Sequence, residues 1–251
     1  MKLHNLMPST WISKVYEIGY SFHMTRRLET RLLQKWIAFD RGDRVCDIAC
    51  GKGILDLMIS KRFAICYGID FDRENIDLAK FLNQNNSNEF IIGNAEYLPF
   101  KRHSFDRVVC NCALEHFAND TRALSEMGRI LRSQGLLFLT VDSFSYSGIT
   151  DNLREMHRKK EAVVNFYDFD SLSMKLEGAG LCAIRKQYYI KSKGASFFIR
   201  VGMKLSFGFA FLLIFPIAYP VTLLCDHFSK EAGGYCLAVL AQKGIREDNE
   251  K

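Results

Sequence analysis

Arg44-Val45-Cys46-Asp47-Ile48-Ala49-Cys50-Gly51-Lys52-Gly53 runs from a short apolar stretch into a turn with two glycines. The apolar part reads as a buried strand, and Ile54 to Arg62 reads as the helix that follows it. Gly51 and Gly53 carry no Cβ, so the backbone there can take positive φ and approach a ligand closely. Replacing either by valine is therefore expected to abolish ligand binding in a folded chain. Asp47 supplies charge at the end of the strand. In an open α/β sheet, ligands bind beyond the carboxyl ends of the strands near the switch point.

Cys66 to Phe71 is a second apolar run, and it closes around an acid, Asp70. A carboxylate at that strand tip can accept from both ribose hydroxyls of an adenosine. A dinucleotide would satisfy this much equally well. Its fingerprint, however, requires Gly-x-Gly-x-x-Gly, and Gly51-x-Gly53 is followed by Leu55 and Asp56 with no third glycine. A nicotinamide-dependent oxidoreductase is the rival enzyme class that loses ground here.

From Arg44 onward apolar strands alternate with amphipathic helices, the pattern of a parallel sheet covered on both faces. Strands are expected near 44–48, 65–69, 89–93, 106–112, 136–142, 181–190 and 235–241. Asp72 is the expected N-cap of a helix from Arg73 to Leu82. Asp168 or Asp170 would cap another that stops at Gly178-Ala179-Gly180. Trp11 to Asp40 reads as two helices, with Leu28, Leu32, Leu33 and Trp36 on one face.

Four blocks in register resemble the class I S-adenosylmethionine-dependent methyltransferases, in the small-molecule and lipid branch similar to quinone-biosynthesis enzymes. VCDIACGKG (45–53) resembles their first motif, and YGIDFDRENIDLAK (67–80) their ribose motif. IIGNAEYLPF (91–100) resembles their adenine loop and FDRVVCNCALEHF (105–117) their fourth motif. EMGRILRSQGLLFLT (126–140) then looks like the helix, turn and fifth strand that follow. The resemblance spans residues 40–190 and 234–243. It implies a Rossmann-like, doubly wound, seven-stranded, mostly parallel sheet and S-adenosyl-L-methionine as cofactor. Carried over residue by residue, it implies that Asp47, Ala49, Cys50, Gly51, Gly53, Asp70, Phe71, Asn94, Ala95, Glu96 and Asn111 line the cofactor. His116, in the pair Glu115-His116, is the candidate catalytic base, although the pair's breadth in the family also suits a structural or cofactor-side role. Met156-His157-Arg158 and Tyr188-Tyr189 fall where the family draws substrate contacts, and Tyr16, Tyr20 and His23 where N-terminal helices close over the site. Two positions depart from the family pattern. Asn94 stands where an Asp usually meets the adenine amino group, and Ala49 where a glycine is common, a change expected to be minor.

The chain has 251 residues, and 48% of them are apolar, which suits one α/β domain with appendages. Expected boundaries are a helical cap at 1–42, a methyltransferase domain at 43–190 plus 233–243, and an apolar insertion at 191–232. The excess of 34 basic over 28 acidic residues suits an anionic membrane surface or phosphate-bearing acceptors and is too small to argue nucleic acid. Eight cysteines without a C-x-x-C pair read as reduced core residues, Cys46, Cys66, Cys110, Cys182 and Cys236 among them, and no metal site is expected. The first residues lack the apolar core of a secretory signal, which suits synthesis in the cytosol.

Leu205 to Cys225 is an uncharged run long enough, at about 31 Å as a helix, to span a bilayer. A crossing would leave the seventh strand on the wrong side, and Pro216 and Pro220 break or kink a helix. The expectation is a bent interfacial helical pair, with Phe209, Phe211, Phe215 and Tyr219 entering the membrane surface; a soluble lid over an apolar pocket and a true span are the alternatives. The function expected is methyl transfer to a small hydrophobic or lipid-linked acceptor by a cytoplasmic protein, peripheral at the inner face of a membrane. A non-catalytic membrane scaffold with a retained fold is the third reading. Acceptor identity and oligomeric state are not legible.

Overall fold

The structure is a computed structural model that describes residues 9–61, 64–204 and 209–244. The helix end expected at Arg62 and the first four residues of the apolar run, 205–208, lie outside the described residues. The elements in order are α1 (Ser9–Ser21), α2 (Met24–Trp36), β1 (Arg44–Ile48), α3 (Ile54–Ser60), β2 (Ile65–Asp70), α4 (Arg73–Leu82), β3 (Glu89–Ile92), β4 (Phe105–Asn111), α5 (Asp120–Ile130), β5 (Leu131–Asp142), α6 (Asp151–Glu161), α7 (Phe169–Gly178), β6 (Leu181–Tyr189), α8 (Lys193–Lys204), α9 (Phe209–Phe228) and β7 (Cys236–Lys243).

The strands form one sheet in the order β3-β2-β1-β4-β5-β7-β6. Pairing is parallel throughout except at β7, which runs antiparallel to both β5 and β6. The chain winds outward from β1 to β3, then returns to lay β4 on the other side of β1, so the switch point lies between β1 and β4. The seven-stranded Rossmann-like sheet read from the sequence is thus the fold observed.

Helix ends follow the local chemistry. The Asp72 side chain accepts from the Glu74 N–H at the start of α4, and Asp168, not Asp170, accepts from the Ser171 N–H at the start of α7. Strand β5 begins earlier than expected, at Leu131. Phe105 pairs with Leu131 and Arg107 with Leu136, so Arg132 to Gly135 bulge out between two paired positions.

On one face of the sheet Met24, Leu28 and Leu33 of α2 pack with Leu55 and Ile59 of α3, Ala195 and Ile199 of α8, and Phe211, Phe215 and Ala218 of α9. On the other, Leu124 and Met127 of α5 pack with Leu172 and Leu176 of α7. The apolar insertion is therefore part of the domain's own layered core. Phe211 is fully buried, and the Phe22 and Phe215 rings meet edge to face at 5.0 Å, which overturns the expectation that Phe211 and Phe215 enter a membrane. Pro216 and Pro220 do not interrupt α9 either. Both lie on its exposed side, where the carbonyls they leave without an N–H can be solvated. Among the described residues no helix is long and apolar enough to cross a membrane. All eight cysteines are free, and Cys182, expected in the core, is exposed on the edge strand β6.

Candidate active site

The loop after β1 is latched to the tip of β2. The Asp70 carboxylate accepts from the Gly51 N–H at 2.8 Å and from the Asp72 N–H at 2.9 Å. These bonds use two of its roughly four lone-pair positions, so the group can still receive a diol. Gly51 has a φ of +54°, and a Cβ there would meet nothing within 4 Å. That leaves in front of the loop the open space that a cofactor needs. Gly53 differs. Its φ is +65°, but an added Cβ would lie 2.8 Å from the Phe90 ring and 2.9 Å from Ala79, so this glycine is required by packing between α4 and β3. Valine at Gly53 is expected to disturb the fold, which corrects the expectation that the two glycines are equivalent.

Ala49 adopts a left-handed conformation with a φ of +57°. Such backbone costs a residue with a Cβ about 1–2 kcal/mol. The presence of alanine rather than glycine here is therefore not minor. The Cys50 side chain turns inward toward Gly68, leaving the backbone to face the loop. Asp47 is 3% exposed and faces Asp56 of α3. Burial pushes the Asp56 carboxyl up to about 7; burial and the Asp56 charge raise Asp47 well above the usual carboxylate range.

Phe71 is 82% exposed directly after Asp70, and Ile92 at the end of β3 and Tyr97 in the loop that follows are exposed as well. Asn94 Oδ1 is occupied by the Glu96 N–H at 2.8 Å and retains one lone pair. Ala95 is buried, and Glu96 braces the loop by accepting from the Asn119 N–H at 2.9 Å. At the tip of β4 the buried Asn111 amide nitrogen has no hydrogen-bond partner among the described residues, a donor available to a ligand. The residues present thus fit an adenosine-bearing cofactor on their own geometry.

A cavity lies at the tips of β4 and β5, where Cys112 follows Asn111. Cys112, Glu115 and His116 after β4, Asp142 and Phe144 at the end of β5, His157 of α6, and Ile190, Ile199, Tyr235 and Cys236 line this cavity of about 380 Å³ with His23 and Arg26 of α2. His116, the base candidate from sequence, stands exposed at its rim, with Nδ1 3.4 Å from the Ala162 carbonyl. His23 lines the cavity as expected, and burial with the nearby Arg26 charge lowers its imidazole to about 4. Tyr16 instead meets the loop, its ring 5.4 Å from the Lys52 ammonium.

Three features of this cavity come from its folded geometry. Glu29 of α2 is fully buried and gathers Arg26 Nη1 at 2.9 Å, Cys112 Sγ at 3.0 Å and the Tyr189 hydroxyl at 3.3 Å, which ties α2 to β4 and β6. Asp142 Oδ2 lies 2.6 Å from His157 Nε2. Cys112, Phe144 and Ile190, just past the ends of β4, β5 and β6, all have positive φ, at +44°, +50° and +57°. Left-handed residues with bulky or β-branched side chains are rare and collect at functional sites. His157 and Tyr189 fall in stretches that the resemblance marks for substrate contact, whereas no sequence signal marks Glu29 or Asp142: Glu29 sits on a helix whose apolar stripe explains itself.

Residues 46–139 match the family model described as a methyltransferase domain. The chain is 36% identical over 105 residues to the uncharacterized methyltransferase YcgJ of Bacillus subtilis, covering 41% of each. It is 27% identical over 124 residues to the demethylmenaquinone methyltransferase of Oceanobacillus iheyensis, covering 47% of this chain and 51% of that one. The chain spans about half the length of the curated relatives it matches. In fold it is similar to Haemonchus contortus phosphoethanolamine N-methyltransferase 2, solved in complex with S-adenosyl-L-methionine, with a TM-score of 0.67, 12% identity and coverage of 98% of this chain and 60% of that one. With its motifs in register and its sheet order observed, the chain carries a methyltransferase domain over residues 46–139 and is similar to the class I S-adenosylmethionine-dependent methyltransferases.

Proposed function

We propose that the protein transfers a methyl group from S-adenosyl-L-methionine to a small hydrophobic or lipid-linked acceptor. The observation that carries this reading is the pairing of an open glycine-loop crevice with a separate, partly apolar cavity at the tips of β4 and β5. When bound, the sulfonium donor supplies an activated methyl group whose leaving group is a neutral thioether. Asp70 would hold the ribose hydroxyls, Phe71 would lie on the adenine, and Asn94 would accept from its amino group. The Gly51 backbone, with Asp47 and Asn111 nearby, would receive the methionine end. Much of the rate gain in such a displacement comes from holding the two reactants in line.

Phe144, Ile190, Ile199 and Tyr235 supply apolar wall, which supports a hydrophobic acceptor, and the demethylmenaquinone methyltransferase relative points the same way. A station at the inner face of a membrane is part of the reading. It is supported by the outward side of α9, where Leu213, Ile217, Leu224 and Phe228 are exposed, and by exposed Lys193, Phe197 and Arg200 on α8.

Calorimetric titration with S-adenosyl-L-methionine and with NAD tests the cofactor. Saturable binding of the first and none of the second is expected, and the reverse result would return the oxidoreductase reading. Donor binding with no label transferred to any lipid or small-molecule extract would favour a scaffold.

A further inference from the structure

Two acidic groups in the cavity have no part in holding the donor. Asp142, at the end of β5, and His157, on α6, meet at 2.6 Å between Oδ2 and Nε2, and the imidazole is stacked on Phe144 with centroids 4.4 Å apart at 27°. The pair is fixed from both sides, since Arg154 on the same helix donates to the Phe144 carbonyl. Glu115 is 1% exposed, yet neither of its carboxyl oxygens has a hydrogen-bond partner on another residue among those described. One of its oxygens, the Cys112 sulfur and an Asp142 oxygen all lie within 4.8 Å of one another. Burial, reinforced by the Asp142 charge, raises the Glu115 carboxyl well above the usual carboxylate range, which favours the neutral form that offers an O–H. A carboxylate paired with an imidazole beside a neutral acid with no partner is the division of labour of a base and a hydrogen-bond donor. A metal ion fits less well, because Cys112 is already bonded to Glu29 at 3.0 Å and Asp142 to His157.

We propose that the His157–Asp142 pair is the general base of this enzyme and that its acceptor is a hydroxyl compound, with the acceptor oxygen held by Glu115. The inference rests on the methyltransferase reading above. With Nε2–H donating to Asp142, the lone pair of Nδ1 receives the acceptor's O–H proton. The freed oxygen lone pair forms the C–O bond as the donor's C–S bond breaks, its electrons remaining on sulfur. The imidazolium, held by the Asp142 carboxylate, then releases the proton to water. An amine acceptor, once neutral, attacks through the lone pair on nitrogen and would leave Glu115 without an oxygen to hold.

The test uses the whole protein with methyl-labelled S-adenosyl-L-methionine and a lipid extract of the cells that make it. His157→Gln and Asp142→Asn are expected to lower kcat by on the order of 10²-fold or more, with donor affinity by calorimetry within about twofold of wild type. The label should appear as a neutral ether. Label in a basic amine, or kcat unchanged in both variants, would overturn the proposal while leaving the methyltransferase reading intact. Failure of wild-type protein to bind the donor would remove that reading and this one with it. A measurement that needs no acceptor stands beside these. Nitrogen-15 NMR of His157 with S-adenosylhomocysteine should show the Nε2–H tautomer, and an Nδ1–H tautomer would sink the assignment.

Discussion

Asp70 does two things at once: it latches the glycine loop through two backbone N–H groups and keeps lone pairs for a ribose. Asp70→Asn would turn an N–H toward the Gly51 N–H, opening the latch, and removes a charge-assisted acceptor. We expect donor affinity to fall by about 1.5–3 kcal/mol, read by calorimetry on a variant whose circular dichroism is native. Ala49 offers the opposite case. Its φ of +57° carries strain that glycine would not. Ala49→Gly should therefore stabilise the fold by about 1 kcal/mol after the extra freedom of the unfolded chain is counted. Urea unfolding of the two forms measures it; a loss of stability would mean the alanine methyl packs usefully. The strand-tip acids and glycines are readable because strand, turn and helix lie consecutively in the sequence. Glu29 and Asp142 are not, and neither is their meeting with His157, whose stretch the resemblance does mark, because the three lie on α2, β5 and α6 and share no spacing; only the folded sheet tips bring them to one cavity.

The elements divide in the same way. All seven strands are legible, the central ones as apolar runs buried on both faces, while the edge strands β3 and β6 are partly exposed. Helix α6 is not, since it buries none of its residues. The insertion misleads because an apolar run records burial without saying against what. One side of α9 is given to the sheet through Phe211, Phe215 and Ala218. The other, with Leu213, Ile217, Leu224 and Phe228, stays exposed. Membrane attachment, if it follows the proposal, uses these outward residues. Replacing Leu213, Ile217 and Phe228 together by Ser removes on the order of 5 kcal/mol of potential apolar burial before association costs. The triple variant should lose flotation with phosphatidylglycerol vesicles while its melting temperature and donor binding hold. Retained flotation would exclude this face.

Over the whole molecule, the Asp47–Asp56 pair links folding to pH. A carboxyl whose folded pKa stands above its unfolded value binds more protons folded than unfolded between the two. Stability is therefore full at low pH and lost as pH rises through that window. For Asp56 the window runs from about 4 in the unfolded chain to about 7 in the fold. Asp56→Asn, which keeps the shape of the protonated acid, should melt close to wild type at pH 4. At pH 8 it should be more stable by on the order of 4 kcal/mol, as thermal melts across that range would read. An equal difference at both pH values would deny the linkage.

Sheet order carries one more consequence, in the time it takes to make the chain. β7 lies between β5 and β6 and pairs with both, although it is synthesised after them and after α8 and α9. Until residues 236–243 have emerged from the ribosome, β5 has no partner on that side and β6 has no place in the sheet. The nascent chain must carry α8 and α9, with Phe211 and Phe215 uncovered, through that interval. The C-terminal strand thus decides when the acceptor cavity, whose wall includes Tyr235 and Cys236, first exists.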